Sequence, residues 1–233
     1  MIRADLHLHS CLSPCGSLEL SPAALVRLAR EKNLDCVALT DHNSCRNSAV
    51  MARLCAAAGL SCLHGMEACT VEEIHGLCLF DSLDAALALS DYIHARLPDI
   101  YCVREKMGDQ VVVNERDEVV DWEDRYLGSG AAVTLTDLCD WVAGAGGLFI
   151  PAHIDRPSYS LLSQLGRVPT LPYAAVEISP RYNTAADPLN VVGRYPLIGN
   201  SDAHMPDQVG RRVTVYSDRT LSPSSFHPLR IES

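Results

Sequence analysis

The sequence predicts an α/β fold with a mostly parallel sheet, and three observations support this prediction. Short apolar runs alternate along the chain with stretches in which apolar residues recur at helical spacing. Residues that start and end helices flank several of these stretches. Histidines and acidic residues follow the apolar runs, where strands would end. In α/β folds, functional groups gather at the carboxyl ends of the strands, so these side chains are expected at one edge of the sheet.

The first half of the chain contains well-defined elements. Ser21 and Pro22 open the first predicted helix, with Ser21 as the N-cap and Pro22 as the first helical residue. A second helix is predicted over residues 47–58 and is ended by Gly59. The remaining elements are strands over residues 2–6, 35–40, 60–67 and 74–80, and a helix over residues 82–97.

The middle of the chain differs in composition. Residues 98–130 are polar and charged, and β-branched residues on both sides of residues 114–118 predict a hairpin. We interpret this stretch as an insertion in one domain that spans residues 1–233, with a lid or a dimer contact as its candidate role. Beyond it, we predict a helix over residues 136–145 and strands over residues 147–152, 174–179, 196–199 and 213–216, the last of which is expected to end the sheet.

The composition excludes several classes of protein. The chain has 233 residues, of which 48% are hydrophobic and 21% are charged, so it is not a disordered chain. Its net charge of -10 argues against nucleic acid as a partner. The sequence lacks an apolar run long enough for a membrane span and lacks the apolar core of a secretory signal. We therefore expect a cytoplasmic protein whose ten cysteines are reduced.

Histidines and carboxylates at the predicted strand ends form a candidate metal site. His7 and His9 alternate along the first strand, so their imidazoles are expected on the same side of the sheet. Glu67 offers two oxygens that could bridge two ions. This mixture of ligands suits zinc, manganese or iron better than calcium. The candidate residues are His7, His9, Asp41, His42, Glu67, His75, His153, Asp202 and His204.

A structural role is the alternative for each of these residues taken alone. A single histidine at a strand end is more often a hydrogen-bonded packing residue than a ligand, and Asp41 or Asp202 could cap a following helix. The set as a whole is different, because burying so many polar groups together without a ligand would cost about a few kcal/mol for each unpaired group. His64, His94 and His227 lack this context and are interpreted as ordinary residues.

These motifs resemble those of the PHP (polymerase and histidinol phosphatase) superfamily. The resemblance extends from the first strand to about His204, and the opening segment is also similar to a bacterial subgroup of predicted phosphoesterases. It implies a distorted (β/α)7 barrel that hydrolyses phosphate esters, with two or three divalent ions at the C-terminal mouth of the strands. The motifs that carry it are His7-Leu8-His9-Ser10, Thr40-Asp41-His42, Glu67, Pro151-Ala152-His153 and Asn200-Ser201-Asp202-Ala203-His204.

The resemblance also implies which residues hold each ion. The first ion would be held by His7, His9, Glu67 and Asp202. Glu67 would bridge to a second ion, which is completed by His75 and His153.

A third ion would be held by His42 and His204. The family usually supplies one more His or Asp to this ion, and Cys15 stands at the matching position. A thiolate suits zinc or iron better than manganese or magnesium, so the identity of the third ion stays open.

Catalytic roles follow from the chemistry that such a metal site would perform. Glu67 would bridge the ions that share an attacking hydroxide, and Asp41 would orient the ring of His42. His204 is a candidate acid for the leaving group, with a bound water as the alternative.

Four arginines follow strand-end motifs and could bind a substrate phosphate through two hydrogen bonds each. Arg156 and Arg181 are preferred over Arg211 and Arg212, and a solvated surface role is the alternative for all four.

The leading functional hypothesis is a metal-dependent phosphoesterase that acts on a small phosphorylated substrate, either a phosphomonoester, a nucleotide or a cyclic nucleotide. A 3′–5′ exonuclease acting on nucleic acid ends is one alternative. A non-catalytic metal-binding accessory domain is the other. The oligomeric state stays open.

Overall fold

A curled sheet of seven strands positions the other elements of the protein. The computed structural model describes residues 1–217 and 221–233. The strands are β1 (Ile2–Leu8), β2 (Cys36–Leu39), β3 (Ser61–Cys69), β4 (His75–Phe80), β5 (Val111–Val113), β6 (Val119–Trp122), β7 (Leu148–Pro151), β8 (Val176–Glu177), β9 (Leu197–Ile198), β10 (Val213–Tyr216) and β11 (Pro228–Glu232). The helices are α1 (Pro22–Glu31), α2 (Ser48–Ala58), α3 (Leu83–His94), α4 (Arg104–Met107), α5 (Leu135–Gly144) and α6 (Leu161–Leu165).

The strand directions correct the prediction of a mostly parallel sheet. The strand order is β11-β10-β1-β2-β3-β4-β7, and only the β1–β2 and β2–β3 pairs are parallel. The β3–β4, β4–β7, β1–β10 and β10–β11 pairs are antiparallel. Residues 70–74 join β3 to β4 directly, and a connection this short cannot make the crossover that parallel strands require.

A second, two-stranded parallel sheet of β8 and β9 completes a distorted barrel. On one side, the N–H of Ala174 donates to the carbonyl of Phe149 beside β7. On the other side, the N–H of His9 donates to the carbonyl of Ala203 at 3.1 Å, and Ala203 forms a parallel bridge with Leu8 of β1. The ring therefore runs through β1, β2, β3, β4, β7, β8 and β9, and the predicted distorted (β/α)7 barrel is confirmed.

Two predicted helix ends are also confirmed. The Ser21 hydroxyl accepts a hydrogen bond from the N–H of Ala24, and Pro22 is the first residue of α1. Gly59 follows α2 with a φ of 66°, a left-handed conformation that glycine adopts without steric cost.

No helix in the described part of the chain is long and apolar enough to cross a membrane.

The segment 98–130 contains the predicted hairpin. Its strands β5 and β6 pair antiparallel, while the short helix α4 was not predicted. Asn47 attaches the hairpin to the barrel, because its side-chain amide donates to the carbonyl of Val111 at 3.1 Å and accepts from the N–H of Val113 at 3.2 Å. The N–H of Val111 also donates to the carbonyl of Cys11 at 2.9 Å, so the segment packs beside the loop that follows β1.

The C-terminal end of the sheet differs from the prediction. The expectation that residues 213–216 end the sheet is wrong, because β11 pairs antiparallel with β10 and forms the edge. Its residues are half-buried or exposed and begin with a proline, so they lack the apolar alternation of an inner strand. The strands β8 and β9 are also shorter than predicted, with two residues each.

Candidate metal centre

Side chains from many different strand ends converge on Glu67, which lies in β3 and is 1% exposed. A bulge between Asp5 and Leu8 shifts the register of β1 against β2. Ala4 and Leu6 pack in one apolar cluster and Leu8 in another, so the side chains of β1 change neighbours across the bulge. The residues brought together are His7, His9, His42, Glu67, His75, His153, Asp202 and His204.

The first group consists of His7, His9, Glu67 and Asp202, whose potential ligand atoms all lie within 4.8 Å of one another. The Nε2 atoms of His7 and His9 each lie 3.3 Å from Oε2 of Glu67. The same two atoms lie 3.2 and 3.1 Å from Oδ1 of Asp202. This is the ligand set that the family resemblance implies for the first ion.

The two oxygens of Glu67 face different imidazoles. Oε1 lies 2.9 Å from Nδ1 of His75 and 3.0 Å from Nε2 of His153. Oε2 lies 3.2 Å from Nδ1 of His42, in addition to its contacts with the first group. His42, Glu67 and His75 form a second group whose potential ligand atoms lie within 4.8 Å of one another, and His153 adds its contact with Oε1. One carboxylate therefore faces two sets of candidate nitrogen ligands, which is the arrangement that a bridging ligand requires.

A third group contains His9, His42 and His204. The rings of His9 and His204 stack with centroids 4.2 Å apart, and the rings of His9 and His42 are 4.6 Å apart. Cys15 is exposed and lines a cavity beside His42, but it belongs to none of the ligand groups found among the described residues. The structure thus brings together the two histidines expected for the third ion, His42 and His204, but it does not place the Cys15 thiol with them.

Unpaired buried nitrogens test whether these residues fit a metal. Nε2 of His7 and Nδ1 of His42 are buried and have no hydrogen-bond partner in the described part of the protein. Both face Oε2 of Glu67 without the geometry of a hydrogen bond. Buried polar atoms without a partner are costly, and a cation between nitrogen and carboxylate oxygen would satisfy both. The residues therefore fit divalent ions.

The electrostatics of the cluster favour cations. Burial alone would raise the pKa of Glu67, but the rings of His75 and His7 lower that pKa well below its usual range. Burial also opposes the charge on Asp202, while His7 and His9 lower its pKa well below the ordinary value. Both carboxylates are consequently ionised and available as ligands.

Glu177 is a functional candidate that the sequence did not single out as a site residue. It is buried in β8, and its Oε2 accepts hydrogen bonds from Nδ1 of His7 and from the N–H of His153, both at 3.0 Å. Its Oε1 accepts from the side-chain amide of Asn200 at 2.7 Å. A carboxylate that holds one ring nitrogen of a ligand histidine fixes the other nitrogen toward the metal. The available signal was a charged residue inside the apolar run 174–179.

Asp41 is placed differently from its expected contact with His42. Its carboxylate accepts hydrogen bonds from the N–H and hydroxyl of Ser10 at 2.6 and 2.7 Å, and from the hydroxyl of Ser13 at 2.7 Å. Ser13 in turn lies 2.9 Å from Nδ1 of His9. The described contacts of Asp41 therefore orient His9 through Ser13 and hold the loop after β1.

The four arginines occupy different places. Nη1 of Arg156 lies 2.5 Å from Oδ2 of Asp202, at the edge of the cluster. Arg181 is exposed and shares only an adjoining cavity with Arg156. Arg211 and Arg212 line a cavity of about 420 Å³ together with Arg156 and the candidate ligand Asp202.

Two candidate ligands have left-handed backbones. His153 has a φ of 29° and Asp202 has a φ of 50°. Such conformations cost non-glycine residues about 1–3 kcal/mol and persist only when the surroundings fix them. The hydrogen bond from the N–H of His153 to Glu177 is one such constraint. The backbone is therefore strained where the side chains must reach the centre.

Comparisons with known proteins agree with this geometry. A family model described as the PHP domain matches residues 5–138, which is more than half of the chain. A second model, described as PHP-associated, matches residues 181–227. A comparison with curated proteins finds no significant match.

Solved structures share the fold at low sequence identity. The lesion-specific endonuclease EndoQ of Pyrococcus furiosus has a TM-score of 0.67 and 17% identity, covering 94% of this chain and 53% of its own. Endonuclease Q bound to a 27-mer duplex with an abasic lesion has a TM-score of 0.63 and 18% identity, covering 94% and 54%. This chain thus spans about half the length of that enzyme.

A smaller relative matches this chain over most of both lengths. It is a candidate metal-dependent phosphoesterase of Bifidobacterium adolescentis, with a TM-score of 0.59 and 18% identity. The similarity covers 87% of this chain and 88% of that protein.

Proposed function

Because the chain belongs to the PHP domain family, we propose that it is a metal-dependent hydrolase of small phosphate esters, such as a phosphomonoester, a nucleotide or a cyclic nucleotide. The observation that carries the proposal is that the two carboxylate oxygens of Glu67 face separate sets of imidazoles. Divalent ions held there would lower the pKa of a water molecule from about 15.7 toward neutrality and would neutralise charge on the phosphoryl oxygens.

The side chains would act mainly by position. Glu67 would be shared between the first and second groups, and Asp202 would complete the first group. His75 and His153 would complete the second. The rings of the first group are held before any substrate arrives, because His7 is fixed by Glu177 and His9 by Ser13. Preorganised polar groups are the main source of catalysis in phosphoryl transfer.

Arg156 is the proposed phosphate-binding arginine. Its guanidinium lies beside Asp202 and borders the cavity of about 420 Å³ next to the centre, so its remaining N–H groups could bind phosphoryl oxygens in pairs. Arg181 could contribute only from the adjoining cavity. We propose that Arg212, which is buried in the same cavity as Arg156, is a stronger second candidate.

His204 could serve as a ligand of a third ion or as the acid for the leaving group. Its Nδ1 lies 2.9 Å from the backbone carbonyl of Asp202, to which it donates as the Nδ1–H tautomer. That contact leaves Nε2 for a metal ion or a proton. Cys15 lies outside the ligand groups of the described residues, so we propose that the third ion relies on histidines.

The test pairs elemental analysis of the purified protein with phosphate release across a library of phosphate esters. We expect two or three zinc, manganese or iron ions per chain, and phosphate release that a chelator abolishes. His153→Ala should reduce release by about 100-fold or more, because it removes a preorganised contact with the reacting centre. His94→Ala, an exposed histidine outside the cluster, is the control.

Two results would contradict the proposal. Full activity in a metal-stripped sample would exclude metal-dependent hydrolysis. Stoichiometric metal without hydrolysis of any ester would favour a non-catalytic metal-binding role.

Cleavage of nucleic acid is the second candidate function. The fold similarity to endonuclease Q favours it, and exposed arginines such as Arg181 and Arg211 near the centre could contact backbone phosphates. The net charge of -10 counts against a long nucleic-acid interface. Labelled single-stranded and abasic duplex DNA should be compared with small esters at equal enzyme concentration. A higher catalytic efficiency on DNA would reverse the ranking.

A further inference from the structure

Two cavities border the metal cluster, and their walls differ in charge. The larger one, of about 420 Å³, is lined by charged side chains, namely Arg156, Arg211 and Arg212 together with the carboxylates Glu177 and Asp202. The smaller one, of about 210 Å³, lies against His42 and His75. Within the described residues, its lining contains no Lys, Arg, Asp or Glu. A substrate whose phosphoryl group sits at the cluster would therefore meet cationic side chains on one side and an uncharged cavity on the other.

The smaller cavity has aromatic walls, and we call it the Tyr126–Tyr159 cavity. The ring of Tyr159 stacks on the imidazole of His75, with centroids 4.7 Å apart and planes inclined by 25°. The carbonyl of Tyr159 also accepts a hydrogen bond from the N–H of His75 at 3.2 Å. Tyr159 has a φ of 51° and is 40% exposed, so a strained backbone presents an aromatic ring at the cavity. Met107 also lines the cavity.

Buried amides fix the wall that contains Tyr126. The side chain of Asn43 donates to the carbonyl of Leu127 at 2.7 Å and to that of Ser129 at 2.8 Å. Gln110 donates to the carbonyl of Arg125 and accepts from the N–H of Leu127, both at 2.8 Å. Both amides are buried. The backbone on either side of Tyr126 is thus held by Gln110 and by Asn43, the residue next to His42.

We propose that the Tyr126–Tyr159 cavity binds one planar, uncharged ring on the alcohol side of the phosphate ester, with a nucleobase as the ring that the chemistry fits best. This inference rests on the proposed function and names its substrate class. Aromatic side chains bind nucleobases by stacking, which tolerates any base because every base has a π-face. The volume of about 210 Å³ lies below that of pockets for larger ligands, so one ring system is the limit.

The test compares substrates with and without a ring. Adenosine 5′-monophosphate and glycerol phosphate carry the same phosphate group, and only the first carries a base. We expect Tyr126→Ala to raise KM for the nucleotide about 10-fold and to change glycerol phosphate hydrolysis less than about twofold. Tyr126→Phe keeps the ring and should retain the wild-type KM. Tyr101→Ala, an exposed tyrosine of the same segment, controls for altered folding.

Equal effects of Tyr126→Ala on both substrates would overturn the inference, as would a wild-type enzyme that does not discriminate between them. Calorimetric titration of the metal-loaded protein with adenosine separates this inference from the proposed function. Adenosine binding that Tyr126→Ala removes supports the cavity even if no ester is hydrolysed. Absence of adenosine binding together with hydrolysis of glycerol phosphate contradicts the cavity and leaves the proposed function standing.

The source of the nucleobase is decided by a further comparison. Hydrolysis of the free nucleotide that depends on Tyr126 assigns the cavity to a mononucleotide. Cleavage of a short single-stranded oligonucleotide with the same dependence, and none of the free nucleotide, assigns it to a base within a chain. Oligonucleotide cleavage that Tyr126→Ala leaves unchanged contradicts the cavity.

Discussion

The carboxylate of Glu177 links three strands around the metal centre at the level of single atoms. It contacts the imidazole of His7 in β1, the backbone of His153 after β7 and the amide of Asn200 after β9. Asn200 passes the connection on, because its Oδ1 accepts from the N–H of Leu6 at 2.9 Å. The ring of His7 is therefore held in the tautomer whose Nε2 is free for a metal ion.

Glu177→Gln tests this positioning role. An amide has almost the shape of the carboxylate, but it has no negative charge and only one acceptor oxygen for three donors. We expect metal affinity, measured by competition with a chromophoric chelator, to fall about 10- to 100-fold. Glu177→Asp, which keeps the charge, should recover part of the affinity, whereas a merely structural role would follow the loss of thermal stability in both variants. An unchanged affinity in Glu177→Gln contradicts the role.

The residues of the centre differ in how far the sequence could predict them. His7, Glu67, His153 and Asp202 stand at the ends of apolar runs or beside them, so pattern and motif order were enough to select them. Asp41 was selected too, but its contacts with Ser10 and Ser13 depend on the folded loop after β1. The type of a residue at a strand end predicts whether it belongs to the site more readily than it predicts which side chain it will hydrogen-bond.

At the scale of elements, the segment 98–130 is attached through asparagines that precede or open α2. Asn47 binds the hairpin and Asn43 binds residues 127–129. Asn43 has a φ of 51° and also accepts a hydrogen bond from the N–H of Cys69 at 2.9 Å. One side chain therefore joins the loop after β2, the end of β3 and the wall of the small cavity.

Asn43→Ala should release this wall. The variant loses the two hydrogen bonds to the carbonyls of Leu127 and Ser129, and it places alanine in a left-handed backbone. We expect faster hydrogen exchange and easier proteolysis within residues 98–130, because each unsatisfied buried group costs about 1–3 kcal/mol. Asn33→Ala is the matched control, since Asn33 has a similar φ of 53° at the end of α1. Equal protection of the segment in both variants would contradict the anchoring role.

The elements themselves were predicted unevenly for physical reasons. Caps and hydrophobic periodicity are local, so α1 and α2 could be placed from sequence. Strand direction depends on connections and partners, which is why the antiparallel β3–β4 and β4–β7 pairs were missed. The placement of Tyr126 in the cavity beside His42 and His75 depends on a hydrogen bond between Asn43 and Leu127, which are 84 positions apart. No local pattern reports such a contact.

At the scale of the whole molecule, the negative net charge and the buried cluster together determine where an anion can bind. The net charge of -10 makes most of the surface unfavourable for polyanions. At the mouth of the barrel, each bound divalent ion would add two positive charges, and Arg156, Arg211 and Arg212 lie beside it. A small anionic ester would therefore be attracted only near the metal centre.

Metal binding should stabilise the whole fold, because the ligands come from β1, β3, β4 and the loops after β2, β7 and β9. Ions that bind the folded state and not the unfolded chain add stability by mass action, about 2.7 kcal/mol at a hundredfold excess over Kd. For this size of protein, we expect the chelated sample to unfold several degrees below samples with zinc or manganese in differential scanning calorimetry.

Glu67→Gln should lose most of the metal-dependent shift in unfolding temperature, since Glu67 faces both nitrogen sets. Glu73 is exposed and lies in the turn between β3 and β4, so Glu73→Gln should keep the metal-dependent shift. A shift in Glu67→Gln equal to that of the native chain would mean that the ions stabilise the protein from elsewhere.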